Sequence, residues 1–273
     1  MAKLWVNGHI LDSADNTLSV LDRGFTLADG AFETMYFDNN CVEYYEYHIL
    51  RFRNTLTQLS ITYHVNEEVL LNNIRETMKA NDLRSGAVRV TITRGVGGRG
   101  LACPKTQAPT IVITVSSVQR LRQPARMGIS QYTRNETSPL STMKTLSYTG
   151  SIMALDEVSR EGHNEALILN TKGKVCCSSA GNIFLVLGQN LVTPDLNQGC
   201  LAGIMRAMTI GGAKRLGIFV SEAPVSIEDI KNADAVFITN SLMRIRMVGT
   251  LEDTLYDLDN QIVSSIKNTL EVK

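Results

Sequence analysis

Ser138-Pro139-Leu140-Ser141-Thr142-Met143-Lys144-Thr145-Leu146-Ser147-Tyr148 sets one lysine among apolar neighbours, just ahead of a segment with Tyr148, Ile152 and Leu155 at helical spacing. If that segment packs into a core, the amine beside Met143 and Leu146 loses part of its hydration. Desolvation disfavours an ammonium ion, and the amine that results is a nucleophile able to form a Schiff base with a carbonyl. Most lysines are solvated surface groups. What singles out Lys144 is the company it keeps along the chain.

The 273 residues suffice for one large or two moderate domains. Lysine and arginine, 27 together, balance 27 aspartates and glutamates, so no polyanionic partner is expected and nucleic acid is disfavoured. The longest apolar runs, such as 183–187, are far too short to span a bilayer, and the N-terminus lacks the apolar core of a secretory signal. A soluble cytoplasmic protein without membrane contact is expected. Five cysteines, an odd number that includes adjacent Cys176 and Cys177, do not suggest a disulfide framework, and no Cys/His cluster has metal spacing. Neighbouring thiols on one strand would face opposite ways.

In the N-terminal half, 4–6 and 41–45 read as short strands, and Leu21 to Thr34 as a turn feeding a strand. Ile49, Phe52, Leu56 and Leu59 repeat at helical spacing over 47–60, with Arg51 off that stripe; its planar fork suits a phosphate, although a solvated face residue is the ordinary reading. A helix over 67–80 leads into a strand over 87–93. Gly95-Val96-Gly97-Gly98-Arg99-Gly100 then matches the dinucleotide pattern G-x-G-x-x-G. That match is a decoy, because Pro104 follows too soon for the helix the motif requires. A flexible loop carrying Arg99 fits better, and an arginine there suits a carboxylate. After a strand over 110–116, the polar stretch Gln119-Arg120-Leu121-Arg122-Gln123-Pro124 reads as a domain linker.

Beyond Lys144, 165–170 and 174–177 read as a hairpin around Lys172-Gly173. Ser178-Ser179-Ala180-Gly181-Asn182, all small or short, precede a strand over 183–187. Gly199-Cys200-Leu201-Ala202-Gly203-Ile204-Met205-Arg206 opens a helix to about Leu216, and backbone N–H groups at such a start suit an anion. A strand over 235–239 ends in Asn240-Ser241-Leu242-Met243.

These pieces, in this order, resemble the fold type IV pyridoxal-phosphate enzymes, the class of branched-chain and D-amino acid aminotransferases and aminodeoxychorismate lyases, over essentially the whole chain. Ala28-Asp29-Gly30-Ala31-Phe32-Glu33-Thr34, the loop 94–100, Gly203-Ile204-Met205-Arg206 and Asn240-Ser241-Leu242-Met243 look most like the lyases, which convert 4-amino-4-deoxychorismate to 4-aminobenzoate and pyruvate for folate synthesis. The resemblance implies two α/β domains, 1–118 and 126–273 with a linker at 119–125, and pyridoxal 5′-phosphate in the cleft between them. It implies that Lys144 is the Schiff-base lysine and moves the substrate proton. Arg51, with Gly203, Ile204, Met205 and Ser241, would hold the phosphate. Phe32 would lie on the substrate side, where D-amino acid members tend to carry tyrosine. Arg99 would bind a substrate carboxylate, reaching in from the neighbouring subunit of a homodimer.

One position departs. Where the class sets a glutamate against the protonated ring nitrogen, two residues after the strand valine, Val175 is followed by Cys176 and Cys177, so Cys177 takes that place. A buried ion pair at about 4 Å and an effective dielectric near 20 is worth on the order of 4 kcal/mol, which a neutral thiol does not supply. A weaker electron sink would penalise amino transfer more than an elimination that aromatises its product. The alternatives are an aminotransferase of the same fold, acting on branched-chain or D-amino acids, and a homologue that has lost catalysis. Arg244 and Arg246 also depart from the lyase pattern, and surface salt bridges explain them as readily as substrate contacts.

Overall fold

Alternation in Ala31-Phe32-Glu33-Thr34-Met35-Tyr36-Phe37 organises the first sheet: the odd-numbered residues are fully buried and the even-numbered ones lie on the other face. In the computed structural model, residues 2–15, 18–120 and 123–271 are described. The chain divides into two units, Met1–Gln119 with Lys144–Ser147, and Arg120–Met143 with Tyr148–Lys273. Of the expected linker, Leu121 and Arg122 lie outside the described residues, and Ala125 is the buried first residue of a strand.

The first unit contains β1 (Lys3–Val6), β2 (His9–Asp12), α1 (Arg23–Leu27), β3 (Gly30–Asp38), β4 (Cys41–Val42), α2 (Tyr45–Gln58), α3 (Glu67–Ala80), β5 (Ser85–Thr93) and β6 (Thr110–Ser116). Its antiparallel sheet has the order β2-β1-β6-β5-β3-β4. Met35 and Phe37 of β3 and Val88, Val90 and Ile92 of β5 join Ile49, Phe52 and Leu56 of α2 and Ile74 and Met78 of α3 in one core. α2 begins earlier than its apolar spacing suggests. Only Cys41 and Val42 of the expected strand 41–45 are extended; Tyr44 turns left-handed at φ 53° and Tyr45 already opens the helix.

The second unit contains β7 (Ala125–Ile129), α4 (Thr149–Arg160), β8 (Glu165–Leu169), β9 (Val175–Ser178), β10 (Asn182–Leu187), β11 (Asn190–Thr193), α5 (Ile204–Arg215), β12 (Val220–Glu222), α6 (Ile227–Lys231), β13 (Ala235–Asn240), β14 (Arg244–Leu251), β15 (Thr254–Leu255) and α7 (Gln261–Glu271). The sheet order is β12-β11-β10-β13-β14-β7-β8-β9, with β15 beside β14. β14, β7 and β8 run parallel, and stacked Phe184 and Phe237, 5.0 Å apart, mark the buried middle.

Two expectations change. α4 buries Ala154 and Val158; of the apolar stripe read through Tyr148, Ile152 and Leu155, Leu155 packs against that cluster, while Ile152 is 64% exposed. Nor do the adjacent thiols alternate. Ile168 pairs with Cys177 and Leu169 with Val175, which leaves Cys176 as the extra residue of a β-bulge. Both thiols join Cys200 in one buried cluster.

Candidate active site

Lys144–Ser147 runs beside the start of β3. The Phe32 N–H donates to the Lys144 carbonyl (3.1 Å) and the Leu146 N–H to the Gly30 carbonyl (3.0 Å). Gly30 permits this approach: a Cβ there would lie 2.5 Å from the Ile92 carbonyl oxygen and 2.8 Å from Leu146 Cδ1. Half-buried Lys144 carries its Nζ 4.3 Å from the centroid of the Phe32 ring, and Arg89 Cζ lies 3.7 Å from the same centroid. Sequence reasoning passed over Arg89. Its signal was present: in β5, Arg89 and Thr91 alternate with buried Val88, Val90 and Ile92, which sets the arginine on the Phe32 face.

Glu33, on the core face of β3, is fully buried. Its carboxylate accepts both arms of the Arg51 fork, from Nε and Nη2 at 2.7 Å each, and meets His48 Nδ1 at 2.7 Å. Burial alone would raise the Glu33 pKa, but the Arg51 charge, aided by His48, overcomes it and holds the carboxyl at about 2. Arg51, off the apolar stripe of α2, is thereby clamped by an anion within its own unit.

A second buried network anchors the loop that carries Arg99. Asp29 accepts from Arg23 Nε (2.8 Å) and from Arg94 Nε and Nη2 (2.8 and 2.9 Å). Burial opposes ionisation of Asp29, but the two guanidiniums win and its pKa is lowered. Arg23 then donates to the carbonyls of Gly100, Leu101 and Ala102, while Arg94 donates to those of Leu59 and Ser60. Arg99 itself is exposed, and no helix follows Gly100 before β6 among the described residues.

In the second unit Gly203 caps α5, and no side chain caps that helix start, where Ile204 and Met205 follow. A Cβ on Gly203 would fall 2.0 Å from Asn182 Oδ1. Asn182 pairs with Thr239, and Gly181 fits closely against the Thr239 carbonyl and Ser178 Oγ. Asn240 binds this run to the turn carrying Ser241, donating to the Ala180 carbonyl (3.1 Å) and accepting from the Leu242 and Met243 N–H groups. The Ser178 and Thr239 hydroxyls are buried without a hydrogen-bond partner among the described residues, a deficit that a bound polar group would relieve.

Cys177 Sγ lies 3.9 Å from Arg134 Nη1, and Arg134 Nη2 donates to the Ser141 carbonyl at 2.7 Å. A hydrogen bond from Cys176 and the Arg134 charge lower the Cys177 pKa against the opposing effect of burial. Sharing that hydrogen bond, together with burial, pushes Cys176 up, and burial pushes Cys200 up to about 11. Arg246 is no surface residue. It is buried, with Nη1 3.7 Å from Glu165 Oε2, Nε donating to the Gln123 carbonyl and Nη2 to Asn164.

A profile of the amino-transferase class IV family matches residues 30–250. The chain belongs to that family. It is 31% identical to a putative branched-chain-amino-acid aminotransferase of Methanocaldococcus jannaschii over 99% of this chain and 94% of the relative. It is 27% identical to the aminodeoxychorismate lyase of Bacillus subtilis over 93% of this chain and 88% of that enzyme. A crystal structure of a putative 4-amino-4-deoxychorismate lyase from Legionella pneumophila superposes with a TM-score of 0.89 at 26% identity, covering 95% of this chain and 96% of that one. The fold is therefore type IV, and the cofactor of this class is pyridoxal 5′-phosphate. Each unit by itself carries groups that suit it: an amine on Lys144 and a clamped guanidinium on Arg51 in the first, and an uncapped helix start and two unpartnered hydroxyls in the second.

Proposed function

We propose that the chain is a lyase that converts 4-amino-4-deoxychorismate to 4-aminobenzoate and pyruvate. The observation that favours this over amino transfer is the contact between Cys177 and Arg134, at the position where the resemblance to the class would place a glutamate. When bound, the cofactor supplies an aldehyde for covalent attachment and a ring that withdraws electrons from the substrate. Elimination here makes an aromatic ring, so it draws less on that withdrawal than amino transfer does.

In this reading Lys144 takes the covalent attachment and moves the substrate proton. Arg51, the Gly203, Ile204 and Met205 main chain, and Ser241 hold the phosphate, with Glu33 fixing the Arg51 fork. Phe32 bounds the substrate, and Arg89 joins Arg99 as a cationic partner for its carboxylates. The working unit is a homodimer. Exposed Phe25 (78%) and Leu101 (82%), with Leu21 and Val96, form an apolar surface around the Arg99 loop, and a second copy is the occupant that would bring that loop to a neighbouring site.

The test is to supply the purified chain with pyridoxal 5′-phosphate and aminodeoxychorismate, without a keto acid, and to measure both products. Equal amounts of 4-aminobenzoate and pyruvate, lost in Lys144→Ala, establish the lyase. If neither forms while the visible band of lysine-bound cofactor is present, the branched-chain aminotransferase reading, favoured by the Methanocaldococcus relative, replaces it. If the band is also missing, a non-catalytic homologue remains. Cys177→Glu should raise amino transfer relative to pyruvate release.

A further inference from the structure

We infer that Cys177 is carried as a thiolate whose counter-ion is Arg134, and that this thiolate is the anion set against the cofactor ring; the second half rests on the function proposed above. Arg134 supplies the first argument. A guanidinium stays protonated throughout the accessible pH range, and half-buried Arg134 loses part of its hydration, which favours an opposite charge beside it. Among the described residues no carboxylate pairs with Arg134: its contacts are the Ser141 carbonyl at 2.7 Å and the Cys177 sulfur at 3.9 Å. The carbonyl oxygen brings no charge. Of the ionisable groups that act on Arg134, namely Cys177, Cys176 and Tyr148, Cys177 is the one in hydrogen-bond contact with it, and it can supply that charge by releasing a proton.

The bulge supplies the second argument. In regular pleating the Cys176 thiol would point to the opposite face, but as the extra residue it stands beside Cys177 and can donate S–H to the sulfur anion. One thiol stays protonated so that the other can ionise. The remaining ionisable groups around the pair are few. Glu165 on β8 opposes a second negative charge, but its carboxylate is occupied by Ser179 through both N–H and Oγ and by Arg246. Cys200, ahead of α5, is held neutral by burial, and Tyr148 acts on Arg134.

The consequence bears on reaction choice. A thiolate spreads its charge over a large sulfur atom and accepts hydrogen bonds weakly, so it would hold a ring-nitrogen proton less firmly than a carboxylate does. Unlike a carboxylate, it would also lose its charge well above the acid range in which carboxylates titrate. Electron withdrawal then becomes pH-dependent in a range where the glutamate of relatives stays ionised.

Ultraviolet absorbance of thiolate, followed against pH in the full-length chain and taken as the difference from Cys177→Ser, tests the first half. The expected midpoint lies below the ~8.5 of a free thiol. Arg134→Gln should raise it, to a proton concentration about tenfold lower or less, Arg134→Lys should raise it by a smaller amount, and Cys176→Ala should raise it without touching the guanidinium. If Arg134→Gln fails to fold by circular dichroism, the lysine and alanine variants decide. A midpoint at or above that of a free thiol, or one unmoved in the variants that fold, overturns the inference. For the second half, the visible band of the loaded protein should shift with the same midpoint and lose that shift in Cys177→Ser; an identical shift in the variant removes the thiolate from the ring. A free-thiol midpoint with the band present sinks the inference and leaves the proposed function standing. A thiolate in a chain that binds no cofactor does the reverse.

Discussion

The main chains of Lys144 and Phe32 are hydrogen-bonded at 3.1 Å, and the Lys144 amine sits 4.3 Å from the centroid of the Phe32 ring. Backbone and side chain therefore position the amine separately. Lys144→Ala should abolish the visible cofactor band and all turnover while leaving the fold intact, because the bond to Phe32 uses only main-chain atoms. Phe32→Leu should keep the band and lower kcat about tenfold or more, since small misplacements of a reacting group are costly. Circular dichroism, the visible spectrum and steady-state kinetics separate the two variants. A Phe32→Leu enzyme with unchanged kcat would remove the ring from the positioning role.

Glu33→Gln breaks a buried charge network and leaves Arg51 without its bidentate partner. A loss of about 3–5 kcal/mol is expected, the range for stranding one member of a buried pair. The pH dependence has a definite sign. The Glu33 pKa is held at about 2, below the ~4.3 of an unfolded chain, so its stabilisation is present above the unfolded value and is lost as pH falls through the folded one. The gap in unfolding free energy between wild type and Glu33→Gln should be largest near neutral pH and narrow toward pH 2. A constant gap would mean that shape, not charge, accounts for it.

Asp29 holds Arg23 and Arg94, and Arg23 grips the carbonyls of residues 100–102. Asp29→Asn keeps the volume and removes the charge, so Arg23 is released first where its remaining contacts are weakest, at 3.2 to 3.3 Å. On the proposed lyase reading, KM for aminodeoxychorismate should rise about tenfold with a smaller change in kcat. Arg99→Ala should raise KM as much, and the double variant should do little more, because both act through one loop. Additive effects would place the two residues on separate tasks.

The first unit was legible where period and burial coincide. Ile49, Phe52 and Leu56 marked the buried stripe of α2, and the decoy glycines at 95–100 were exposed as such by Pro104. Lys144, the lysine proposed for the chemistry, stood out through its sequence context, not through the helix after it: α4 buries Ala154 and Val158 and exposes Ile152. Arg246 was misjudged because exposure cannot be read from a charge alone. Its counter-charge, Glu165, lies eighty-one positions away and meets it only through the order of β8, β7 and β14. The bulge at Cys176 left no mark in the sequence, since it depends on a register shift against β8.

Gly203 is a helix cap that a side chain cannot replace. Its φ of −70° is open to any residue, so backbone strain is not the reason. The reason is contact: an added Cβ would lie 2.0 Å from Asn182 Oδ1, and Asn182 is pinned by its own donation to the Leu201 carbonyl at 2.8 Å. Gly203→Ala must displace Asn182 or the first turn of α5, and either movement disturbs the N–H groups of Ile204 and Met205 that the phosphate would use. Affinity for pyridoxal 5′-phosphate should fall about tenfold or more, the cost of roughly one charge-assisted hydrogen bond. Affinity for pyridoxal, which lacks the phosphate, should change much less. Equal losses for both cofactors would place the damage in the fold, and no loss for either would take the start of α5 out of the phosphate site.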